Sequence, residues 1–328
     1  MTNLRAGLIG LGMMGRNHGR VLAGLAGVDL VAVADAGGDP HGVAKGRPLH
    51  ATIEDLIAEG LDYCMVAVPT AYHLDIGLAL AEAGVHALIE KPLAQDTESS
   101  QKLVDAFNAK GLVAGTGHIE RYNPALQQAR ARIEAGELGD VYQITTRRQG
   151  PFPARIADVG VVKDLGTHDI DLTSWVRQSP FAAVSARTAF RSGRAYEDMV
   201  VMTGILADGT ITQHTVNWLS PFKERLTVIT GEKGALIADT LTADLSFHAN
   251  GNVQSAWEDL AQFRGVSEGD YIRYAIPRRE PLLVEHENFR DAVLGKTSDI
   301  VTLEQGMTNV RVAEAAIESA RTGTTINL

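Results

Sequence analysis

A turn near the amino terminus limits what this chain can fold into more than any other feature. Gly10-Leu11-Gly12-Met13-Met14-Gly15 follows directly on the apolar run Leu4–Ile9 and leads into residues 16–25, whose apolar positions recur at helical spacing. In a G-x-G-x-x-G between strand and helix, the first glycine makes a tight turn and the second lets backbone approach a pyrophosphate. The third lets the helix pack closely. The amino terminus of the helix adds partial positive charge at the same point. The same alternation continues through the first half of the chain. Residues 29–34, 63–68, 85–89 and 112–114 read as strands, and residues 53–59, 74–82 and 97–110 carry helical periodicity. This order predicts a doubly wound parallel α/β sheet.

Ligands of such sheets bind outside the carboxyl ends of the strands, so charged or polar residues there are candidates. Asp35 ends the second strand, 20 residues beyond Gly15, which matches the roughly 20-residue spacing of a ribose-binding carboxylate. It favours NAD: a carboxylate repels the 2′-phosphate of NADP, and Ala36-Gly37-Gly38-Asp39 offers no arginine to receive one. A solvated turn residue is the plain alternative. Pro69, Thr70 and His73 follow the strand at 63–68 and are assigned to the cofactor's neighbourhood, although an ordinary helix start reads the same way. The run Ala87-Leu88-Ile89 passes straight into Glu90-Lys91-Pro92. Two readings of Lys91 stand at this point, a solvated strand end and an amine aimed at a ligand on the sheet edge.

Beyond residue 120 the pattern changes. A helix over 125–134 is followed by strand-like segments at 141–147, 183–189, 199–206, 210–217, 224–230, 235–238 and 243–248, with Asp208-Gly209 as a hairpin signal. These predict a largely antiparallel open sheet, closed by helices over 281–294 and 303–321. Because 328 residues exceed what one core usually serves, two domains are expected, 1–120 and 121–328. The absence of a Pro- or Ser-rich linker predicts a rigid junction.

Forty acidic against thirty basic residues give a net charge of -10, which argues against nucleic acid or an anionic membrane as partner. No apolar window is long enough for a membrane span, and the single cysteine, Cys64, permits no internal disulfide. A cytoplasmic protein is expected, and no metal is invoked. Against this acidic background Arg121, Arg147, Arg148, Arg155 and Lys163 form a basic cluster suited to an anionic substrate. Arg147 and Arg148 are adjacent on a strand and point to opposite faces, so only one of them can serve.

The stretch Asp164-Leu165-Gly166-Thr167-His168-Asp169-Ile170-Asp171 reads as a helix start, with Thr167 as cap and Asp169 and Asp171 in the first turn. That reading accounts for two carboxylates and leaves His168 unexplained. A histidine four residues after Asp164 is either structural or an acid–base group oriented by that carboxylate.

Taken together, the glycine turn, Pro69-Thr70 with His73, and Glu90-Lys91-Pro92 resemble the glucose-fructose oxidoreductase, inositol dehydrogenase and rhizopine-catabolism (Gfo/Idh/MocA) family along the whole chain. The resemblance implies an NAD-dependent dehydrogenase whose lysine, here Lys91, reaches both nicotinamide and substrate across a lysyl-proline bond that is often cis. It places cofactor contacts at Gly10, Gly12, Met13, Met14, Gly15, Asp35, Pro69, Thr70, His73, Glu90 and Lys91. It also makes Asp164 and His168 a catalytic pair, and leaves open whether Lys91 or His168 is the formal base. Glu120-Arg121-Tyr122-Asn123 and the stretch 150–156, with Arg155, resemble the subgroup of UDP-N-acetylglucosamine 3-dehydrogenases. That implies a substrate pocket formed by Glu120, Arg121, Tyr122, Asn123 and Arg155 with Lys91, Asp164 and His168, and a 3-keto sugar nucleotide as product. An inositol or free-sugar dehydrogenase is the alternative. An NAD-retaining glycosidase and a non-catalytic NAD-binding regulator are further ones. The resemblance implies a homodimer or homotetramer formed through the second-domain sheet.

Overall fold

The computed structural model describes residues 3–153, 159–251, 268–296 and 298–328. Two compact units emerge, Met1–Ile119 with Glu280–Glu314, and Glu120–Arg279 with Ala315–Leu328.

In the first unit, strands β1 (Leu4–Ile9), β2 (Val28–Ala34), β3 (Leu49–His50), β4 (Tyr63–Val66), β5 (His86–Glu90) and β6 (Ala114–Gly117) form a fully parallel sheet in the order β3-β2-β1-β4-β5-β6. Parallel strands are covered on both faces and so read as continuous apolar runs, and all four residues of β4 are buried. One apolar layer gathers Val66, Leu80, Ile89, Leu103 and Phe107. The other gathers Leu8, Leu22, Val33, Met65 and Phe289. The strand order reverses between β1 and β4, which opens a crevice at their carboxyl ends.

The expected boundary of 121–328 for the second domain needs correction. Helix Pro281–Val293 packs against helix α1 (Met13–Leu22), and its Phe289 lies 5.5 Å from the ring of Tyr63. A doubly wound sheet needs cover on both faces, and this late segment supplies part of it. Strand β6 also lies two to three residues later than expected. Gly115 and Gly117 hide it in the sequence, and a Cβ on Gly115 would stand 3.2 Å from Val301 O, where residues 301–302 pass close by.

The second unit holds strands β7 (Val141–Pro151), β8 (Phe181–Ala189), β9 (Met199–Leu206), β10 (Ile211–Asn217), β11 (Leu219–Gly231), β12 (Gly234–Asp239), β13 (Asp244–Asn250), β14 (Glu268–Arg273) and β15 (Ile326–Asn327). They pair in the order β14-β13-β12-β11-β7-β10-β9-β8-β15, antiparallel except between β7 and β10. The turn at Asp208-Gly209 joins β9 to β10 as expected, with Gly209 at φ +90°. Helices α5 (Pro124–Glu134) and α6 (Thr167–Arg177) bury Leu126, Ala129, Leu172 and Trp175 against Ile144, Ile229 and Leu236. The opposite face follows strand alternation: Val200, Met202 and Leu206 point inward, while Val201, Thr203 and Ile205 are exposed. Among the described residues, no helix is long and apolar enough to cross a membrane.

Candidate functional site

At the carboxyl edge of the parallel sheet the glycine turn is shaped by close packing. Gly10 has φ +90°, and a Cβ there would stand 2.5 Å from Ala67 backbone; a Cβ on Gly15 would stand 1.8 Å from Gly10 O. Gly12 differs, since nothing lies within 4 Å of where its Cβ would be. It precedes α1 without any side-chain cap, and Met13 beside it is 52% exposed. The first amides of α1 are therefore offered to a ligand rather than to a capping side chain, which is the arrangement a pyrophosphate requires. Asp35 Oδ2 accepts the Leu11 N–H at 2.7 Å and its Oδ1 accepts the Gly37 N–H at 2.7 Å. Each carboxylate oxygen keeps a second lone pair for a ribose hydroxyl. Gly10, Gly12, Gly15 and Asp35, with Met13 and Met14 at the head of the helix, thus fit NAD.

The end of β5 is held on several sides. Glu90 is buried, its Oε1 is 2.8 Å from His18 Nε2, and its Oε2 accepts the Lys91 N–H at 3.1 Å. Lys91 is half-buried, and the Lys91–Pro92 peptide is cis. Glu90 accordingly faces inward. Pro69 precedes a short 3-10 turn, Thr70–Tyr72, that buries Thr70.

His73 requires a correction. It is fully buried, with Nδ1 3.0 Å from Pro92 O and Nε2 3.0 Å from Val68 O. Burial lowers its pKa although the carbonyls oppose that shift. A neutral imidazole has one N–H and so donates to only one of these carbonyls, but the ring is enclosed between the end of β4 and Pro92 rather than presented to the cofactor.

In the second unit, Asp164 is buried on a π-helical turn, Val162–Gly166, that runs without a break into α6. Gly166 and Thr167 are both right-handed helical, and Thr167 Oγ1 donates to Lys163 O at 2.9 Å. Thr167 is therefore inside a continuous helix rather than capping one. Helical backbone brings residues four apart to one face, and so aligns Asp164 with the half-buried His168.

The carboxylates that follow are not dipole partners. Arg121 Nε lies 2.9 Å from Asp171 Oδ2 and its Nη2 2.6 Å from Oδ1, with both residues buried. Arg148 donates to Asp169 Oδ1 and Glu120 Oε1, each at 2.8 Å. Burial opposes the charge on Arg148, but Asp169 and Glu120 hold its pKa above the ordinary arginine range. Arg147 lies on the other face of β7 and pairs with Glu224 at 2.7 Å.

Three members of the basic cluster, Arg121, Arg147 and Arg148, are thus paired with carboxylates of the protein. Arg121, Tyr122 and Asn123, expected in the substrate pocket, belong to the second unit. All three are buried, and Asn123 caps α5 by accepting the Ala125 N–H at 3.0 Å while donating to Thr240 O. Arg155 lies outside the described residues.

Three residues around these groups escaped the sequence reading. His18 and His286 interrupt the buried apolar stripes of their helices, and a polar residue on such a stripe was the available signal. Arg225 is half-buried and donates to the carbonyls of Gln149 and Glu224 at 2.7 and 2.8 Å, with Asp169, Glu120 and Asp164 acting on it from farther off. Burial, then Arg148, lower its pKa.

Comparison with known proteins places both units. The model described as "Oxidoreductase family, NAD-binding Rossmann fold" matches residues 4–118, and the GFO/IDH/MocA C-terminal domain matches residues 126–237. A UDP-N-acetylglucosamine 3-dehydrogenase of Acidithiobacillus ferrooxidans is 35% identical over 176 residues, 53% of this chain and about half (54%) of that enzyme's length. The scyllo-inositol 2-dehydrogenase (NAD(+)) of Bacillus subtilis is 26% identical over 99% of this chain and 96% of its own. A solved structure of UDP-N-acetylglucosamine 3-dehydrogenase from Acidithiobacillus ferrooxidans superposes with a TM-score of 0.84 at 24% identity, covering 98% of this chain and 99% of that one.

Proposed function

Because this chain belongs to the Gfo/Idh/MocA family of oxidoreductases, we propose that it oxidises C3 of a UDP-N-acetylhexosamine to the 3-keto sugar nucleotide. It is a dehydrogenase and its cofactor is NAD. The observation that carries the substrate reading is the 35% identity to a UDP-N-acetylglucosamine 3-dehydrogenase over 176 residues, about half of this chain. Arg225 supports it, as its guanidinium donates to backbone carbonyls and makes no close ion pair among the described residues, although Asp169, Glu120 and Asp164 lie within electrostatic reach.

Oxidising a secondary alcohol requires a hydride acceptor, removal of the hydroxyl proton and stabilisation of charge on that oxygen. When bound, NAD accepts the hydride. We assign the proton to His168, oriented by Asp164, and the polarisation of the oxygen to the Lys91 ammonium. The opposite division between Lys91 and His168 satisfies the same chemistry.

The inositol or free-sugar alternative is favoured by the near-complete coverage of the inositol enzyme. Thermal-shift titration of the NAD-loaded protein with UDP and UDP-N-acetylglucosamine separates the two. Stabilisation by uridine nucleotides is expected, and its absence at millimolar concentration removes the nucleotide-sugar reading. NADH absorbance followed in the same samples with nucleotide sugars and polyols identifies the alcohol oxidised, and steady NADH accumulation rules out a net hydrolytic reaction.

We further propose association through the exposed face of the nine-stranded sheet. Val201, Ile205 and Ile211 stand there 36%, 43% and 55% exposed, with Ile205 and Ile211 directly paired across strands. Light scattering should report a dimer or tetramer, reduced in size by Ile205→Glu with Ile211→Glu; a monomer at all concentrations overturns this.

A further inference from the structure

Three buried groups from three separate elements of the first unit form a line that ends at Lys91. His286, on helix Pro281–Val293, places Nε2 2.8 Å from His18 Nδ1; His18, on α1, places Nε2 2.8 Å from Glu90 Oε1. Glu90, the last residue of β5, accepts the Lys91 N–H at 3.1 Å through its other oxygen. His18 and His286 are 0% exposed and Glu90 8%. Gly117 on β6 leaves the space in which Glu90 lies: a Cβ there would stand 3.3 Å from Glu90 Cα and 3.4 Å from its Cδ.

We propose that His18 and His286 are positioning residues that act through Glu90 on Lys91, the imidazole chain fixing the Glu90 carboxylate against the strand end from which the Lys91 amine projects. This rests on the reading of Lys91 as the group that faces the substrate oxygen.

Proton counting gives the chain a direction. His286 is kept neutral by burial and by His18, and its Nδ1 has no partner among the described residues. Its single proton is best used on Nε2, donated to His18 Nδ1, which leaves the His18 Nε2–H for Glu90 Oε1. Burial alone would raise the pKa of Glu90, but the hydrogen bond from His18, with Lys91 beside it, brings it below the ordinary carboxylate range. Glu285, beside His286, goes the other way: burial and then the charge of Glu90 raise its pKa well above normal. Neither of its carboxyl oxygens finds a partner among the described residues. The two buried carboxyls are thus pushed in opposite directions. The titratable groups set around Glu90 are His18 on α1, Glu285 and His286 on helix Pro281–Val293, Lys91 next in the chain, and His73 at the start of helix His73–Glu82. Since His73 and His286 are held neutral by burial, His18 is the neighbour that decides the charge on Glu90.

The test uses the intact protein, and its spectroscopic arm needs no substrate. Infrared difference spectra at neutral pH, His18→Leu minus unsubstituted, should show one additional protonated carboxyl band, and that band should be missing when Glu90→Gln is added. His286→Leu should show the same band more weakly. NAD affinity measured by fluorescence should change less than about threefold, while kcat falls about tenfold or more and its acid limb moves towards neutral pH. A stable His18→Leu or His286→Leu protein with no new band, or one whose kcat and acid limb match the unsubstituted enzyme, overturns the proposal. If His18→Leu does not fold, His286→Leu and Glu90→Gln decide, since Glu90→Gln must itself lower kcat with NAD still bound. A new band without turnover on any sugar would keep the positioning chain and remove the dehydrogenase role of Lys91, so the two failures are distinguishable.

Discussion

Asp35 Oδ2 accepts the backbone N–H of Leu11 at 2.7 Å, so the carboxylate expected to select the cofactor also clamps the turn that would bind its pyrophosphate. Replacing Asp35 should therefore do two things at once. Asp35→Ala is expected to weaken NAD binding and to narrow the preference for NAD over NADP by about 10- to 100-fold, the scale of one or two charge-assisted hydrogen bonds. Initial rates with both cofactors check this, and an unchanged ratio would mean that specificity lies elsewhere.

Gly12 and Gly15 should part company. Gly15→Ala forces a Cβ to 1.8 Å from Gly10 O, so the turn must move and several kcal/mol of stability should go with it. Gly12→Ala meets no protein atom within 4 Å and should cost at most about 1 kcal/mol, yet it should weaken NAD binding at least about tenfold. Thermal melts with and without NAD separate the two effects.

Lys91→Met should leave NAD affinity near normal and lower turnover by at least about 100-fold, the range expected of a general acid–base or charge-stabilising group. Near-normal kcat in that variant would remove Lys91 from the chemistry.

Arg121 and Asp171 form a buried pair with two-point contact, and removing one partner strands the other charge. Arg121→Met is expected to cost about 3–5 kcal/mol in urea unfolding, and Arg121→Met with Asp171→Leu to recover much of that loss. If Arg121 served the substrate and not the fold, the single variant would keep its stability and lose affinity.

His214 should make the protein acid-sensitive. Its Nδ1 lies 2.8 Å from Thr146 Oγ1, and burial pushes its pKa down to about 3. The unfolded chain takes up the proton near pH 6.5 and the folded one only near pH 3, so stability falls as the pH drops below about 6.5. At pH 5 this single group costs about 2 kcal/mol. His214→Gln keeps a polar partner for Thr146 and should flatten the slope of stability between pH 5 and 7; an unchanged slope would point to other groups.

Local spacing was sufficient for the features that are themselves local. Turn, strand and helix in succession encode the nucleotide-binding edge at Gly10–Gly15, the distance to Asp35 follows from one strand–helix–strand unit, and Glu90-Lys91-Pro92 marks a strand end by its abrupt change of polarity. The sheet types followed from the change of periodicity near residue 120. What local spacing could not express is where each charge finds its partner. Arg121 and Asp171 are 50 residues apart, Arg148 and Glu120 28, and His18 and His286 268, so only folding could reveal that Arg121 and Arg148 are paired internally or that two unremarked histidines bear on Glu90. His73 is a similar case, since its role depends on the carbonyls of Val68 and Pro92 meeting one ring from two strand ends. The sequence alone determined the kind of cofactor edge and the residue types at its rim, because those depend on backbone geometry and short-range pattern. Only the tertiary structure decided which of those side chains are engaged inside the protein, because the cost of burying a charge makes each one take whatever partner the fold brings near.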